Sequence, residues 1–281
     1  MVRSLWTAAT GMRAQQTNVD TIANNLANVN TTGYKTEVNE FKSLLYQTIQ
    51  TKTTTSDNSP KPIGAQVGLG VRNSSITSIF TDGALLASES PTAFGLSGRG
   101  LFAVQGEDGK TYYTRNGDFK WAIDTENRVA LTTSDGLRVL QANGEPIRLL
   151  TSSTDPNATV YMPSRVTVTA DGTICYPDEL NNPKPITGMQ PIGIFQFNNP
   201  SGLEKQDSGL FAVTDNSGQP INEYTATGIE RTKISQGYLE GSNVQVVDEM
   251  VNLITAQRAY ELNSKAITAS DEMLQQANNL R

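Results

Sequence analysis

The sequence predicts an α+β fold in which long, coiled-coil-like helices at the N and C termini flank a central antiparallel β domain. Three patterns lead to this prediction: a seven-residue apolar repeat near the start of the chain, a second near its end, and strand-like segments separated by turns between them. The predicted segments are an N-terminal helix over residues 1–45, an extended polar segment or hairpin over 46–70, a β-rich domain over 71–235 and a C-terminal helix over 236–281.

The N-terminal helix is predicted from apolar residues that recur every seven positions. This first seam consists of Leu5, Met12, Val19 and Leu26. A second line of the same spacing consists of Ala8, Ile22 and Val29, and Gln15 interrupts it. An amide at such a position usually trades stability for a defined register and partner. The helix is rich in Thr and Asn, which are mediocre helix formers, so we do not expect it to be stable alone. It is predicted to end between Asn28 and Gly33, where glycine can adopt a left-handed conformation.

The C-terminal helix carries a matching seam. Its members are Val246, Leu253, Tyr260, Ile267 and Leu274, flanked by Ala256, Asn263, Ser270 and Ala277. Residues 244–279 contain neither Gly nor Pro, which predicts a rod of about 50 Å. A strict seven-residue repeat faces a partner continuously only when helices wind round one another, so the two ends are predicted to pack together, within one subunit or between subunits. Two amphipathic helices flanking an ordinary core fit the same periodicity.

The middle of the chain changes character twice. Residues 51–70 are rich in Thr, Ser, Pro and Gly and lack aromatic residues, so they are predicted to form a mobile loop, an extended hairpin or a flexible linker. From residue 98 onward, short β-branched and aromatic segments alternate with turn pairs, which predicts an antiparallel sandwich or barrel built from hairpins. The turn pairs are Asp108-Gly109, Asn116-Gly117, Glu126-Asn127, Asp135-Gly136 and Asn143-Gly144.

The composition argues against several classes of function. A net charge of -6, without a basic cluster, argues against nucleic acid as a partner. Histidine is absent, which excludes Ser-His-Asp and Cys-His catalysis, and a single cysteine leaves no metal-ligand spacing. No apolar run is long enough for membrane insertion, and the first residues lack the apolar block of a cleaved Sec signal. We therefore predict no enzymatic activity, no catalytic, cofactor-binding or metal-binding residues, and no cofactor.

Four charged residues allow two interpretations. Lys35, Arg258, Glu261 and Lys265 are expected to lie on solvated helix faces. In the alternative interpretation, Glu261 and Lys265 pair across one helical turn, because they are four residues apart in the favourable order, and Arg258 reaches a neighbouring subunit.

Two long motifs resemble a known family. The run SLWTAATGMRAQQTNVDTIANNLANVNTTGYK spans residues 4–35, and QGYLEGSNVQVVDEMVNLITAQRAYELNSKAI spans residues 236–267. They resemble the two terminal signatures of the flagellar rod and hook family of axial proteins. The motif residues that carry the first resemblance are Asn24, Asn25, Leu26, Asn28, Gly33 and Tyr34. Residues 95–140, which include YTRNGDF at 113–119, resemble the globular domain of that family, whereas residues 150–225 match it only loosely.

The resemblance implies a self-assembling structural subunit of the distal part of the flagellar rod. Such a subunit forms a helical tube that transmits torque from motor to hook, and its implied partners are copies of itself, proximal rod proteins, the hook protein, the rod cap and ring bushings. The implied location is the basal body, with the rod spanning the periplasm and type III export replacing a cleaved signal. Residues 46–67 would pack between subunits. Another rod or hook protein is the alternative within the family, and a secreted β-rich enzyme or adhesin with helical oligomerisation ends is the alternative outside it.

Overall fold

A computed structural model describes residues 2–50, 65–124, 128–150, 161–178 and 182–279. The described chain has an N-terminal helix, a C-terminal helix and a central set of antiparallel strands, which confirms the predicted α+β class. The chain divides into two units, each built from discontinuous stretches. The first unit consists of Met1–Ala27, Glu37–Ser78 and Val244–Arg281, and the second consists of Asn28–Thr36 and Ile79–Asn243.

The described residues of the first unit form both helices and four strands. The helices are α1 (Val2–Ala27) and α2 (Val246–Asn279). The strands are β1 (Glu37–Ser43), β2 (Tyr46–Gln50), β3 (Ala65–Gly68) and β4 (Val71–Ser78). Helix α1 ends immediately before the predicted stop at residues 28–33, so it covers only part of the predicted segment 1–45, in which residues 37–43 form β1 instead. Helix α2 likewise begins ten residues after the start of the predicted segment 236–281. Helix α2 carries Asp248 and Glu249 in its first turn, where acidic side chains interact favourably with the helix dipole.

The two helices pack side by side in opposite directions. The Oγ atoms of Ser4 and Ser270 lie 3.3 Å apart. A Cβ atom built on Gly11 would lie 2.9 Å from Nδ2 of Asn263. A step of seven residues along α1 therefore matches a step of seven residues in the reverse direction along α2. The absence of a side chain at Gly11 allows this close approach.

The β1–β4 ladder brings together the two sides of the predicted extended segment. Strand β1 pairs antiparallel with β4 from Glu37 opposite Ser78 to Ser43 opposite Val71. Strands β2 and β3 continue the antiparallel pairing, and residues 51–64 between them lie outside the described residues. Because this pairing fixes β4 beside β1, residues 71–78 belong to the first unit of the structure, whereas the sequence analysis groups them with the β-rich domain.

In the part of the second unit that the structure describes there are seventeen strands and three short 3-10 helices. The strands as far as residue 150 are β5 (Leu85–Ala87), β6 (Phe94–Ser97), β7 (Leu101–Gln105), β8 (Thr111–Thr114), β9 (Lys120–Ile123), β10 (Arg128–Thr132), β11 (Arg138–Val139) and β12 (Arg148–Leu150). The remainder are β13 (Thr167–Val168), β14 (Ile174–Pro177), β15 (Pro183–Pro185), β16 (Ile194–Gln196), β17 (Glu204–Lys205), β18 (Leu210–Ala212), β19 (Ile221–Asn222), β20 (Lys233–Gln236) and β21 (Tyr238–Glu240). The 3-10 helices are Pro163–Arg165, Pro200–Gly202 and Asp207–Gly209.

Ten of these strands form one sheet, ordered β12-β10-β11-β7-β8-β18-β17 along its main path, with β9 beside β10 and β16 joining β7 to β19. Strand β7 is buried on both faces. Phe102 and Val104 belong to one apolar cluster, and Leu101 and Ala103 belong to another. Alternate residues of a strand point to opposite faces. A strand between two cores therefore needs an uninterrupted apolar run, and LFAV in this chain is such a run.

Three of the predicted turn glycines have the left-handed backbone conformation that a turn requires. Gly109, Gly136 and Gly144 have positive φ angles of 74°, 84° and 85°, which glycine adopts at little cost. Gly117 instead allows a close approach to the backbone of Phe94. Its carbonyl accepts a 3.0 Å hydrogen bond from the N–H of Phe94, and a Cβ atom on Gly117 would lie 1.8 Å from Phe94 O. Glu126-Asn127 lies outside the described residues.

Candidate assembly surfaces

The predicted seam residues lie beside the deepest contacts of the helix pair. Seven of them are partly buried: Leu5, Met12, Val19, Leu26, Leu253, Ile267 and Leu274. The other two, Val246 and Tyr260, are 39% and 42% exposed. The buried positions are Ala8, Ala14, Thr21, Ile22 and Asn25 on α1, and Glu249, Ala256 and Ser270 on α2. Within one chain, small and polar side chains therefore occupy the closest contacts, and the larger apolar side chains keep accessible surface.

Helix α2 has a second apolar face near its start. Val247, Met250, Val251 and Ile254 are 73%, 52%, 57% and 57% exposed. Residues three and four apart lie on the same side of a helix, and at about 100° per residue this side is opposite Ala256. The first turns of α2 thus carry an exposed apolar side in addition to the side that faces α1. Water-exposed apolar side chains clustered in this way are typical of a protein–protein contact.

Asn25 connects α1 to β1 inside the first unit. Its Nδ2 donates to the carbonyl of Glu37 and its Oδ1 accepts from the N–H of Glu37, both at 2.9 Å. The side-chain amide thereby satisfies both the N–H and the carbonyl of Glu37, as the backbone of a neighbouring strand would. Asn25 is buried, with 1% of its surface exposed. Asn24 is exposed and makes a marginal 3.5 Å contact with the Glu37 carboxylate.

We expect Asn25→Ala to destabilise the first unit by about 2–4 kcal/mol, because it removes two hydrogen bonds and leaves buried backbone groups without partners. Asn24→Ala is the matched control, with an expected change within about 0.5 kcal/mol. Urea unfolding of the full chain, followed by far-ultraviolet circular dichroism, measures both. Equal midpoints for the two variants would contradict the assigned role of Asn25.

The rest of the first motif forms a structured connection in the second unit. Thr31 donates from its N–H to the carbonyl of Asn28 and from its Oγ1 to Asn28 Oδ1, both at 3.1 Å. Tyr34 N–H donates to Thr31 O at 3.3 Å. Gly33 adopts the predicted left-handed conformation, with φ 71°, and donates from its N–H to Glu240 O at 2.8 Å. Gly33 follows the last residue of α1 by six positions, so it shapes the connection and does not cap the helix.

Lys35 occupies a buried ion cluster and not the solvated helix face expected from the sequence. Its Nζ lies 2.6 Å from Glu240 Oε1 and donates to Thr81 O at 2.6 Å. The side chains of Lys35 and Glu240 are 1% and 0% exposed. The reason for the difference is that Lys35 lies on an extended segment after α1, where it meets strand β21.

Arg115 completes the cluster from the YTRNGDF motif. Its guanidinium pairs with Glu240 at 2.8 Å and with Asp82 at 2.9 Å, and Nη1 donates to the carbonyls of Gly98 and Gly100 at 2.7 Å each. Gly83 N–H also donates to Glu240 Oε1, at 3.0 Å. A fully buried carboxylate is therefore held by two cations and a backbone donor.

The cluster shifts the protonation equilibrium of its lysine. Burial lowers the pKa of Lys35 below its usual value, the positive charge of Arg115 lowers it further, and Glu240 and Asp82 act in the opposite direction. Buried charges of this kind persist only when they are paired and hydrogen-bonded. Sequence reasoning missed Glu240 and Arg115 as partners of Lys35, because nothing in a single sequence connects charges 205 and 80 residues apart.

Other charged side chains form ion pairs outside this cluster. Arg258 Nη1 lies 2.9 Å from Glu261 Oε2, so Glu261 pairs with Arg258 in place of the expected Lys265. Asp124 pairs with Arg138 and Arg148, at 2.8 Å each. Among the described residues, no group of three acidic or cysteine side chains is arranged to hold a metal ion. None of the described helices is long and apolar enough to cross a membrane.

Comparison with protein families matches three parts of the chain. Residues 5–35 match the model described as flagella basal body rod protein, and residues 95–176 match the flagellar hook protein FlgE/F/G D1 domain. Residues 235–280 match the flagellar basal body rod FlgEFG protein C-terminal model. The two helices and the first half of the β domain thus have the features of flagellar axial proteins.

Full-length relatives narrow the assignment. The chain is 42% identical to the flagellar basal-body rod protein FlgG of Borreliella burgdorferi, over 100% of this chain and 99% of the relative. It is 38% identical to FlgG of Agrobacterium fabrum, over 97% of each chain, and 34% identical to FlgG of Bacillus subtilis, over 100% of each. The chain belongs to the FlgG family of flagellar basal-body rod proteins.

Proposed function

We propose that this chain, as a structural subunit of the flagellar distal rod, polymerises into a helical tube that transmits torque from the motor to the hook. Its full-length similarity to FlgG proteins is the observation that carries the proposal. The proposed partners are copies of itself, the proximal rod proteins, the hook protein, the rod cap and ring bushings. In this proposal the rod spans the periplasm, export proceeds through the type III apparatus, and the chain acts as a structural protein and not as an enzyme.

The exposed side of α2 supports polymerisation. Val247, Val251 and Ile254 each have more than half of their surface accessible, and full burial of such a side chain contributes about 1.5–3 kcal/mol. The opposite side of α2 contacts α1 of the same chain. The free apolar side of α2 can therefore contact a different surface of another subunit. Such heterologous contacts extend into filaments when they do not close into a ring.

In the proposed tube, the helices form the inner wall. The predicted seam residues of α1 and α2 complete their burial between subunits in a coiled-coil-like arrangement. The β-rich domain lies outside this wall, and residues 46–67 brace neighbouring subunits. Because α1 is rich in poor helix formers, the helices gain order when they are stacked on other copies.

Polymer formation by purified full-length chains tests this function. We expect length-unlimited polymers with a gain of helical circular dichroism on assembly. Ile254→Asp, which places a charge on the exposed apolar side of α2, is expected to raise the critical concentration by about tenfold or more, the equivalent of about 1.4 kcal/mol per contact. Gln276→Asp introduces the same charge at an exposed polar position of α2 and serves as control.

Two results would overturn the proposal. One is a wild-type chain that stays monomeric at all accessible concentrations in the presence of short preformed polymer seeds. The other is identical critical concentrations for Ile254→Asp and Gln276→Asp, since the apolar side of α2 would then take no part in assembly.

A further inference from the structure

The first unit contains an open crevice lined by polar and apolar residues of the helix pair and strand β1. Its volume is about 320 Å³. Its polar lining residues include Gln15, Glu37, Asn39, Glu249 and Asn252. The described residues that line it include two carboxylates and no Lys or Arg. The crevice therefore has the electrostatic character of a site for a positive group.

Two of these side chains have buried polar atoms without a hydrogen-bond partner, and a third is a carboxylate without an ion pair, among the described residues. Asn39 is 8% exposed, and both of its amide atoms are buried without a hydrogen-bond partner among the described residues. Oε1 of Gln15 is also buried without a hydrogen-bond partner among the described residues. Glu249 is 8% exposed, and within the described chain its carboxylate makes no ion pair. Buried polar groups are nearly always hydrogen-bonded, and a buried carboxylate without a partner is costly.

Most of these groups share one chemical property. Gln15 Oε1, Asn39 Oδ1 and the Glu249 carboxylate are acceptors, whereas Asn39 Nδ2 is the single donor group. A guanidinium group offers five N–H donors in a fixed plane and no acceptor, and it binds carboxylate and carbonyl oxygens more specifically than an ammonium group does. An arginine side chain thus satisfies the acceptors of the crevice and neutralises its charge.

The charges of the two helices indicate where this arginine comes from. Helix α2 carries five acidic and two basic residues, whereas α1 carries two arginines, Arg3 and Arg13, and one aspartate. Arg13 is exposed. It lies two residues from Gln15, which at about 100° per residue turns it about 200° away from the crevice of its own chain. Arg13 therefore projects away from the crevice of its own chain and does not line it.

We infer that the crevice formed by Gln15, Asn39 and Glu249 receives the Arg13 side chain of a neighbouring copy. The inference rests on the proposed polymerisation and specifies one of its contacts. Arg13 lies on the side of α1 that faces away from the crevice. Each copy therefore inserts Arg13 from one surface and accepts the neighbour's Arg13 at another surface. This arrangement is head-to-tail and extends without closing.

Critical concentrations of the full chain test the inference, measured by sedimentation at low and high salt. Glu249→Gln and Arg13→Gln are each expected to raise the critical concentration about tenfold at low salt, and the double variant is expected to show little further increase, since both changes remove one contact. Glu272→Gln and Arg3→Gln are matched controls at exposed positions of the same helices. The charge exchange Arg13→Glu with Glu249→Arg is expected to recover part of the lost assembly.

Several outcomes would overturn the inference. A Glu249→Gln variant that behaves like Glu272→Gln means that the crevice holds only water. A large effect of Glu249→Gln without an effect of Arg13→Gln means that another group fills the crevice. Arg13 is exposed, so its variant tests the contact even if Glu249→Gln impairs folding. Failure of the wild-type chain to polymerise would contradict the proposed function as a whole. Unchanged critical concentrations for both Glu249→Gln and Arg13→Gln would contradict this contact alone.

Discussion

Replacing Glu240 with glutamine is expected to lower the free energy of unfolding of the second unit by about 3–5 kcal/mol. Glu240 compensates two buried cations: its carboxylate lies 2.6 Å from Lys35 Nζ and 2.8 Å from Arg115 Nε. Glutamine has nearly the same shape but lacks the negative charge, and its amide nitrogen would meet donors where an acceptor is needed. The two cations would then stay buried with only Asp82, which is 47% exposed, as a negative partner.

The two tryptophans of the chain make this measurement specific. Trp121 packs on the apolar core of the second unit, and Trp6 lies on α1. In a Trp6→Phe background, fluorescence during urea unfolding therefore follows the second unit. Glu204→Gln changes an exposed carboxylate in the same unit and is the control, with an expected change within about 0.5 kcal/mol. Similar midpoints for both variants would mean that the ion cluster contributes no more than a surface charge.

A double-mutant cycle separates the contribution of Lys35. Lys35→Met alone leaves Glu240 paired with Arg115, so we expect a smaller cost of about 1–3 kcal/mol. Combined with Glu240→Gln, it removes one of the two uncompensated cations, and the double variant is expected to be more stable than the sum of the single effects predicts. Additive effects would indicate that Lys35 and Glu240 do not interact.

The cluster has a mechanical consequence in a torque-bearing subunit. The chain passes from α1 into the second unit through residues 28–36 and returns to α2 through residues 241–245. Lys35 lies in the first connection and pairs with Glu240, the residue immediately before the second. Asn243 of the second connection accepts at Oδ1 from Thr36 N–H at 2.7 Å and donates from Nδ2 to Ile79 O at 2.9 Å. Load carried along either connection is therefore shared with the other.

The sequence predicted features that depend on local chemistry. The helix stop after Ala27, the left-handed Gly33 and the turns at Gly109, Gly136 and Gly144 all follow from the properties of neighbouring residues. The alternating pattern likewise predicted the antiparallel class of the β domain, because side-chain direction in a strand has a period of two.

The sequence predicted that the two terminal helices pack together, but it did not predict which residues of distant elements make the contacts. Periodicity identified the apolar lines Leu5 to Leu26 and Val246 to Leu274, but the contact between α1 and α2 follows the adjacent small residues. Ser4, Gly11 and Ser270 permit a closer approach than leucine does, and that preference appears only when both helices are considered together. The partners of Lys35 are likewise set by the fold, since many carboxylates in the chain could have paired with it.

The second large effect is expected from Gly33→Ala, which should destabilise the second unit by about 3–5 kcal/mol. One part is the cost of a left-handed conformation for an L-residue, about 1–2 kcal/mol. The other part is steric: a Cβ atom on Gly33 would lie 2.6 Å from the backbone N of Asn116 and 2.7 Å from the backbone C of Arg115. Backbone atoms cannot rotate away, so the strand end that carries Arg115 would have to shift.

Gly109→Ala isolates the steric part of this effect. Gly109 has φ 74°, close to the 71° of Gly33, but a Cβ atom added to Gly109 would have no other atom within 4 Å. We therefore expect Gly109→Ala to cost about 1–2 kcal/mol, the conformational part alone. Urea unfolding followed through Trp121 compares the two variants. An equal loss at both positions would show that the close approach of Gly33 to Arg115 and Asn116 is not a constraint, and the motif glycine would then be explained by its backbone conformation only.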